Sequence, residues 1–173
     1  MDINKVLKDC FSEDLFKYSN NLFKFVREIP YEINWARTPE ALLEKWKGYC
    51  VTKHRLLKKL FGEIGVASDL CFVPFRFNQI YLPESLRGRW YADKLGYHVF
   101  LKVYIDGEGI DVDASFPEVL SRYYKVNAGW DGKSSQEVTI WTYEEEYIVK
   151  LDDDEREVKK KLSDPRGFDA EDE

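Results

Sequence analysis

The sequence predicts an α+β chain in which helices come first and an antiparallel sheet follows. Up to about residue 62, apolar residues recur at helical spacing between proline, glycine and capping residues. From residue 70 onward, alternating β-branched and aromatic residues take over, with a hairpin signal at Asp106-Gly107. The composition then changes sharply. Residues 1–151 read as a single domain and 152–173 as a charged C-terminal tail.

Residues 3–27 read as helical. Leu15, Phe16, Leu22, Phe23 and Val26 form an apolar stripe, and Ser12 with Asp14 nearby can cap a helix over 13–27. Ile29-Pro30 ends it, because the residue before a proline avoids helical geometry. Thr38 as N-cap and Pro39 as first helical residue open a short helix that runs to about Trp46. Gly48 lets the chain bend and approach a substrate closely before a third helix begins at Cys50. That helix places Val51, Leu56, Leu57, Leu60 and Phe61 near one face and stops near Gly62 or Gly65. Residues 70–77 are strand and 78–96 a long loop, which in a compact domain is more often functional than decorative. The clearest strand is 97–105, with 109–115 as its hairpin partner. Residues 138–143 form a further strand continued by Tyr147-Ile148-Val149. The charge-dense tail predicts a solvated helix to about Leu162 and then disorder.

An apolar share of 44% and an aromatic share of 16% over 173 residues are ample for one core. A net charge of −6 argues against broad attraction to nucleic acid or an anionic membrane. The first residues hold no apolar run of the signal-peptide kind, and no stretch has the roughly eighteen apolar residues of a membrane span. Cys10, Cys50 and Cys71 are an odd, sparse set that reads as free thiols, so the expected compartment is the reducing cytoplasm. Gly129-Trp130-Asp131-Gly132-Lys133-Ser134-Ser135 has no phosphate-loop pattern, and no cofactor is expected.

The chemistry-bearing candidates are Cys50, His98 and Asp113. A cysteine at a helix start meets unpaired amides and the positive end of the helix dipole, which favour a thiolate and can hold an oxyanion. By itself Cys50 reads equally as a small buried apolar residue. In the strand 97–105, Val99, Leu101, Val103 and Ile105 share one face and His98, Phe100, Lys102 and Tyr104 the other. A two-residue turn at Asp106-Gly107 pairs 105 with 108, which puts Asp111 opposite Lys102 as an ion pair and Asp113 diagonal to His98; a four-residue loop shifts the pairing by one and keeps the parity. Cys50 would then attack a carbonyl, His98 would handle the proton, and Asp113 would orient the imidazole. His54, four residues after Cys50, shares its helix face and reads as a pocket or buried hydrogen-bonding residue. Lys53 falls on the exposed side of that helix. A zinc site of Cys50, His54, Cys71 and His98 lacks any Cys-x-x-Cys pair, so no metal is expected.

Gly48-Tyr49-Cys50, Leu56-Leu57, Gly65-Val66, His98-Val99-Phe100-Leu101-Lys102-Val103 and Val112-Asp113-Ala114-Ser115 resemble the core of the transglutaminase-like superfamily, over roughly residues 38–116. Two departures stand out: Phe100 takes the place of the family's frequent tryptophan, and Ala114-Ser115 replaces Pro-Thr. The resemblance implies a papain/transglutaminase-like fold, with the nucleophile helix packed on the sheet and Cys50, His98 and Asp113 as nucleophile, base and third member. It also implies acyl transfer or amide hydrolysis through a Cys50 thioester, on a peptide, protein or small amide substrate. Related enzymes place an oxyanion donor upstream of the nucleophile, where this chain has Trp35, Trp46 and Tyr49, with Trp35 on a loop the better placed. Arg87 and Arg89 in the long loop could clamp a carboxylate. The competing expectation is a catalytically silent version of the fold that binds or scaffolds proteins. Oligomeric state stays open.

Overall fold

Two capping carboxylates divide the N-terminal helical stretch. Asp2 accepts the Lys5 N–H at 2.9 Å and opens α1 (Ile3–Cys10), and Asp14 accepts the Lys17 N–H at 2.9 Å and opens α2 (Leu15–Glu28). The Ser12 hydroxyl accepts the Asp14 N–H instead of capping the helix itself, so α2 begins at 15 and not 13. It ends before Ile29-Pro30, as the proline requires. Thr38 caps α3 (Pro39–Lys45) through the Ala41 N–H, and Trp46 closes it in the left-handed region at φ 52°. The fourth helix, α4 (Cys50–Glu63), begins on the cysteine itself.

The structure is a computed structural model that describes residues 1–32, 38–77, 80, 95–140 and 149–151. Four strands, β1 (Ser68–Arg76), β2 (Leu95–Ile105), β3 (Glu108–Val112) and β4 (Val149–Leu151), form an antiparallel sheet in the order β3-β2-β1-β4. Helices thus precede an antiparallel sheet, an α+β arrangement. The hairpin is the two-residue one: Asp106 and Gly107 both take positive φ and Ile105 pairs with Glu108. Lys102 lies opposite Asp111 and the two form an ion pair.

Three strand expectations need correction. The second hairpin strand stops at Val112, because the next three residues turn their N–H groups to side chains. Val138, Thr139 and Ile140 are not strand, since the Thr139 N–H is bound to the Asp113 carboxylate. Of the expected loop 78–96, Leu95 and Gly96 belong to β2, and 78–79 and 81–94 lie outside the described residues. Residues 141–148 and the tail 152–173 lie outside them too. Among the described residues no helix is long and apolar enough to cross a membrane.

Helix α4 is buried along most of its length. Val51, Leu56, Leu57, Leu60 and Phe61 pack with Leu22, Phe23 and Val26 of α2, Leu42 and Leu43 of α3, and the sheet face of Leu70, Phe72, Val99, Leu101 and Val103. The parity of β2 is as the alternation predicts, with Phe100 on the opposite face beside Cys71 and Val73. A helix wrapped this way presents its first turn at a defined place over the sheet.

Gly48 serves packing and not bending. Its φ is not positive, and a Cβ there would sit 2.5 Å from Thr52 Oγ1 and 2.6 Å from Leu42 Cδ1. Its backbone also pairs with the segment after α2: Gly48 N–H donates to Pro30 O at 3.0 Å and Glu32 N–H to Gly48 O at 2.8 Å. Gly48→Ala is therefore expected to cost about 1–3 kcal/mol in urea unfolding, the usual range for an overpacked core position; an unchanged midpoint would contradict this account of the glycine.

Candidate active site

The α4 start is built by Tyr49 and Thr52. Tyr49 is extended, its N–H donates to Thr52 Oγ1 at 3.1 Å, and Thr52 Oγ1 donates back to the Tyr49 carbonyl at 3.2 Å. This holds Cys50 at the first helical position, where it keeps 5% of its surface exposed. The backbone pairing of Tyr31 with Gly48 brings a tyrosine to the same place. Burial raises Tyr31 well above the usual tyrosine range, and the neighbouring Cys50 raises it further by charge and hydrogen bonding. The Tyr31 ring packs on Phe116 at 4.8 Å between centroids, and Phe116 in turn lies nearly parallel to the His98 ring at 6.5 Å.

Beyond the end of β3, three consecutive backbone N–H groups find side-chain acceptors. Asp113 N–H donates to Gln136 Oε1 at 3.0 Å, Ala114 N–H to His54 Nε2 at 2.9 Å, and Ser115 N–H to Asp113 Oδ1 at 3.0 Å. The Asp113 carboxylate is 1% exposed and fully partnered. Its Oδ2 accepts from His98 Nε2 at 2.7 Å, from Thr139 N–H at 2.8 Å and from the Thr139 hydroxyl at 2.8 Å. Asn127 Nδ2 binds the Asp113 carbonyl at 3.1 Å and the Glu137 carbonyl at 3.1 Å, which joins the 127–139 segment to the same residue. With Nε2 committed to Asp113, His98 Nδ1 is the nitrogen left for the thiol. It is buried and makes no bond of ordinary hydrogen-bond geometry among the described residues.

The ionisation of this group follows from charge compensation. Burial disfavours the charged His98 ring, but the Asp113 carboxylate by charge and hydrogen bond, with Cys50 in addition, more than reverses this and raises His98 to about 10. Burial likewise pushes Asp113 up, and the His98 charge and hydrogen bond outweigh it, holding the carboxyl well below its usual range. His54 is the opposite case. An amide N–H donates to its Nε2, so Nε2 is bare and Nδ1 carries the proton to the Cys50 carbonyl at 2.8 Å. Burial lowers its pKa to about 4 even with Asp113 Oδ1 only 3.6 Å away.

Cys50, His54, His98 and Asp113 thus meet in one buried cluster. His54 is fully buried, with both ring nitrogens hydrogen-bonded inside. Lys53 is not on the exposed side of its helix: it is fully buried, its Nζ donating to the carbonyls of Arg27, Ile29 and Ser115. Tyr49 is half-buried against the core, Trp46 is 40% exposed beside Phe25, and Trp35, Arg87 and Arg89 lie outside the described residues. Cys71 sits with Val73 and Phe100, and Cys10 sits on α1. Among the described residues no group of His, Cys, Asp and Glu side chains is arranged to hold a metal ion. Sequence reasoning missed Tyr31, Asn127, Gln136 and Thr139. A polar residue inside a β-branched run, Val138-Thr139-Ile140, was the available signal for Thr139.

No protein-family model matches the chain, and no curated protein matches it in sequence. Among solved structures it is similar to a chain from Cytophaga hutchinsonii named "putative cysteine protease", at 16% identity and a TM-score of 0.45. The match covers 65% of this chain and 37% of that one, so this chain spans well under half the neighbour's length.

The shifts set the pH dependence of stability. His54 falls from 6.5 to about 4, so the unfolded chain binds its proton first and stability is lost as pH drops from 6.5 through 4. Urea midpoints are expected to report a loss of about 3 kcal/mol over that window, largely abolished in His54→Gln. Above neutrality two shifts oppose. The His98 contribution is complete below 6.5 and is lost as pH rises through about 10, while Lys53, lowered from 10.5 to about 7, contributes with the reverse sign from 7 to 10.5. Stability should therefore be nearly flat from pH 7 to 10; a steep slope there would show that one of the two ionisations is misassigned.

Proposed function

We propose that the chain is a cysteine-dependent acyl-transfer enzyme with a papain/transglutaminase-like fold, in which Cys50 is the nucleophile, His98 the acid–base group and Asp113 its orienting carboxylate. The observation that carries this is the buried His98–Asp113 pair at 2.7 Å, with the second ring nitrogen left over and Cys50 acting on the ring from a helix start. An imidazolium and the positive end of a helix both stabilise a neighbouring thiolate.

The thiolate sulfur attacks a carbonyl carbon, and the helix-start amides meet the oxyanion as the C–S bond forms. His98 gives its proton to the leaving amine as the C–N bond breaks, which leaves a thioester on Cys50. Water or a second amine then attacks the thioester, His98 takes up the proton released, and the sulfur leaves as thiolate. The substrate proposed is a peptide, protein or small amide, and the place of action the cytoplasm.

A second reading has one observation in its favour. With Cys50 5% exposed and His98 fully buried, the same residues suit a catalytically silent fold that serves as a protein-binding module. Peptide thioester labelling followed by mass spectrometry separates the two. The enzyme reading expects an acyl adduct on Cys50 in the wild type, loss of the adduct in Cys50→Ala, and at least about a hundredfold slower labelling in His98→Ala. If iodoacetamide modifies Cys50 no faster than Cys10, Cys71 or a model thiol, the silent module is the better account. Asp113→Asn should slow labelling as well, because a neutral amide leaves the imidazole in the wrong tautomer and charge state.

A further inference from the structure

Lys53 is a fully buried cation that the proposed chemistry leaves unused. Its side chain is fully buried, and its Nζ donates to the Arg27 carbonyl at 2.8 Å, the Ile29 carbonyl at 2.9 Å and the Ser115 carbonyl at 2.6 Å. An ammonium has three N–H donors, so the three carbonyls match its capacity. Two of those carbonyls lie at the C-terminal end of α2, where the helix dipole favours a cation. The third belongs to the residue whose N–H holds Asp113 Oδ1.

The other flank of Asp113 returns to the same end of α2. Arg27, only 8% exposed, donates to the carbonyls of Asn127 and Ala128, and Asn127 Nδ2 donates to the Asp113 carbonyl. The end of α2 therefore grips the Asp113 segment twice, through Lys53 and Ser115 on one side and through Arg27 and Asn127 on the other. The titratable neighbours acting on Lys53 are Asp113, Glu28, Cys50 and Arg27.

We infer that Lys53 is a positioning residue for the Cys50–His98–Asp113 cluster: its Nζ ties Ser115 to the end of α2 and thereby holds the Asp113 carboxylate against His98. The inference rests on the proposed role of that cluster, yet it concerns placement and is tested without turnover. It can fail while the thiol reading stands, and the reverse.

The test is an NMR pH titration of the His98 ring in the wild type and in Lys53→Met, which keeps an unbranched apolar stem while removing the charge and the donors. If Lys53 positions Asp113, its loss loosens the carboxylate and lowers the His98 midpoint by about one unit or more, toward an ordinary imidazole. Removing a positive charge alone would leave the midpoint unchanged or raise it, and either result overturns the inference. A merely structural lysine would lower the melting temperature without moving that midpoint. Should Lys53→Met not fold, the wild type answers instead. At acid pH the Lys53 ammonium protons are expected to exchange at least about tenfold more slowly than those of an exposed lysine and to couple to the Ser115 carbonyl. Fast exchange without that coupling overturns the inference.

Discussion

A buried, ionised carboxylate is the constraint on which the rest of this structure depends. Asp113 has almost no contact with water, and a charge in that position is tolerated only when every lone pair is met and an opposite charge stands nearby. Meeting those demands recruits residues from five parts of the chain: His98 on β2, His54 and Lys53 on α4, Ser115 beside it, the end of α2, and the segment 127–139. Much of the architecture around α4 can be understood as the means of keeping that one group charged.

The two histidines divide the work by environment. His98 meets the carboxylate directly and is held as a cation, whereas His54 meets an amide N–H and a carbonyl and is held neutral. Both rings are buried, so burial alone cannot distinguish them; the hydrogen-bond partner decides. A cation at one position and a neutral ring a few ångströms away also limits the positive charge collected in the cluster, to which Lys53 already contributes. His54 moreover bonds the Cys50 carbonyl and the Ala114 amide at once, so the α4 start and the strand-end segment that carries Asp113 are held by a single side chain.

Much of this was legible in the sequence where local rules act. The helix cap at Thr38, the helix stop at Ile29-Pro30, the start at Cys50 and the hairpin turn at Asp106-Gly107 all depend on neighbours within a few residues. Strand parity placed Lys102 opposite Asp111 for the same reason, whereas Asp113 lies past the end of the strand that the pattern assigned to it. The residues 113–115 and 138–140 misled because their β-branched and alternating pattern matches a strand, while their N–H groups are bound by side chains from far along the chain. Lys53 misled for a related reason: a lysine reads as solvent-exposed unless carbonyls from elsewhere are known to surround it.

The sequence by itself determined the order of elements, the parity of the hairpin strands and which residue types were present to form a thiol, imidazole and carboxylate set. Those features follow from backbone sterics, side-chain period and capping, which are local. Only the tertiary structure decided that His98 is charged and His54 neutral, that Lys53 faces inward, that Tyr31 stands beside Cys50 and that Thr139 binds Asp113. Each of these depends on desolvation and on hydrogen bonds between residues dozens of positions apart, and such energies exist only once the chain has closed around them.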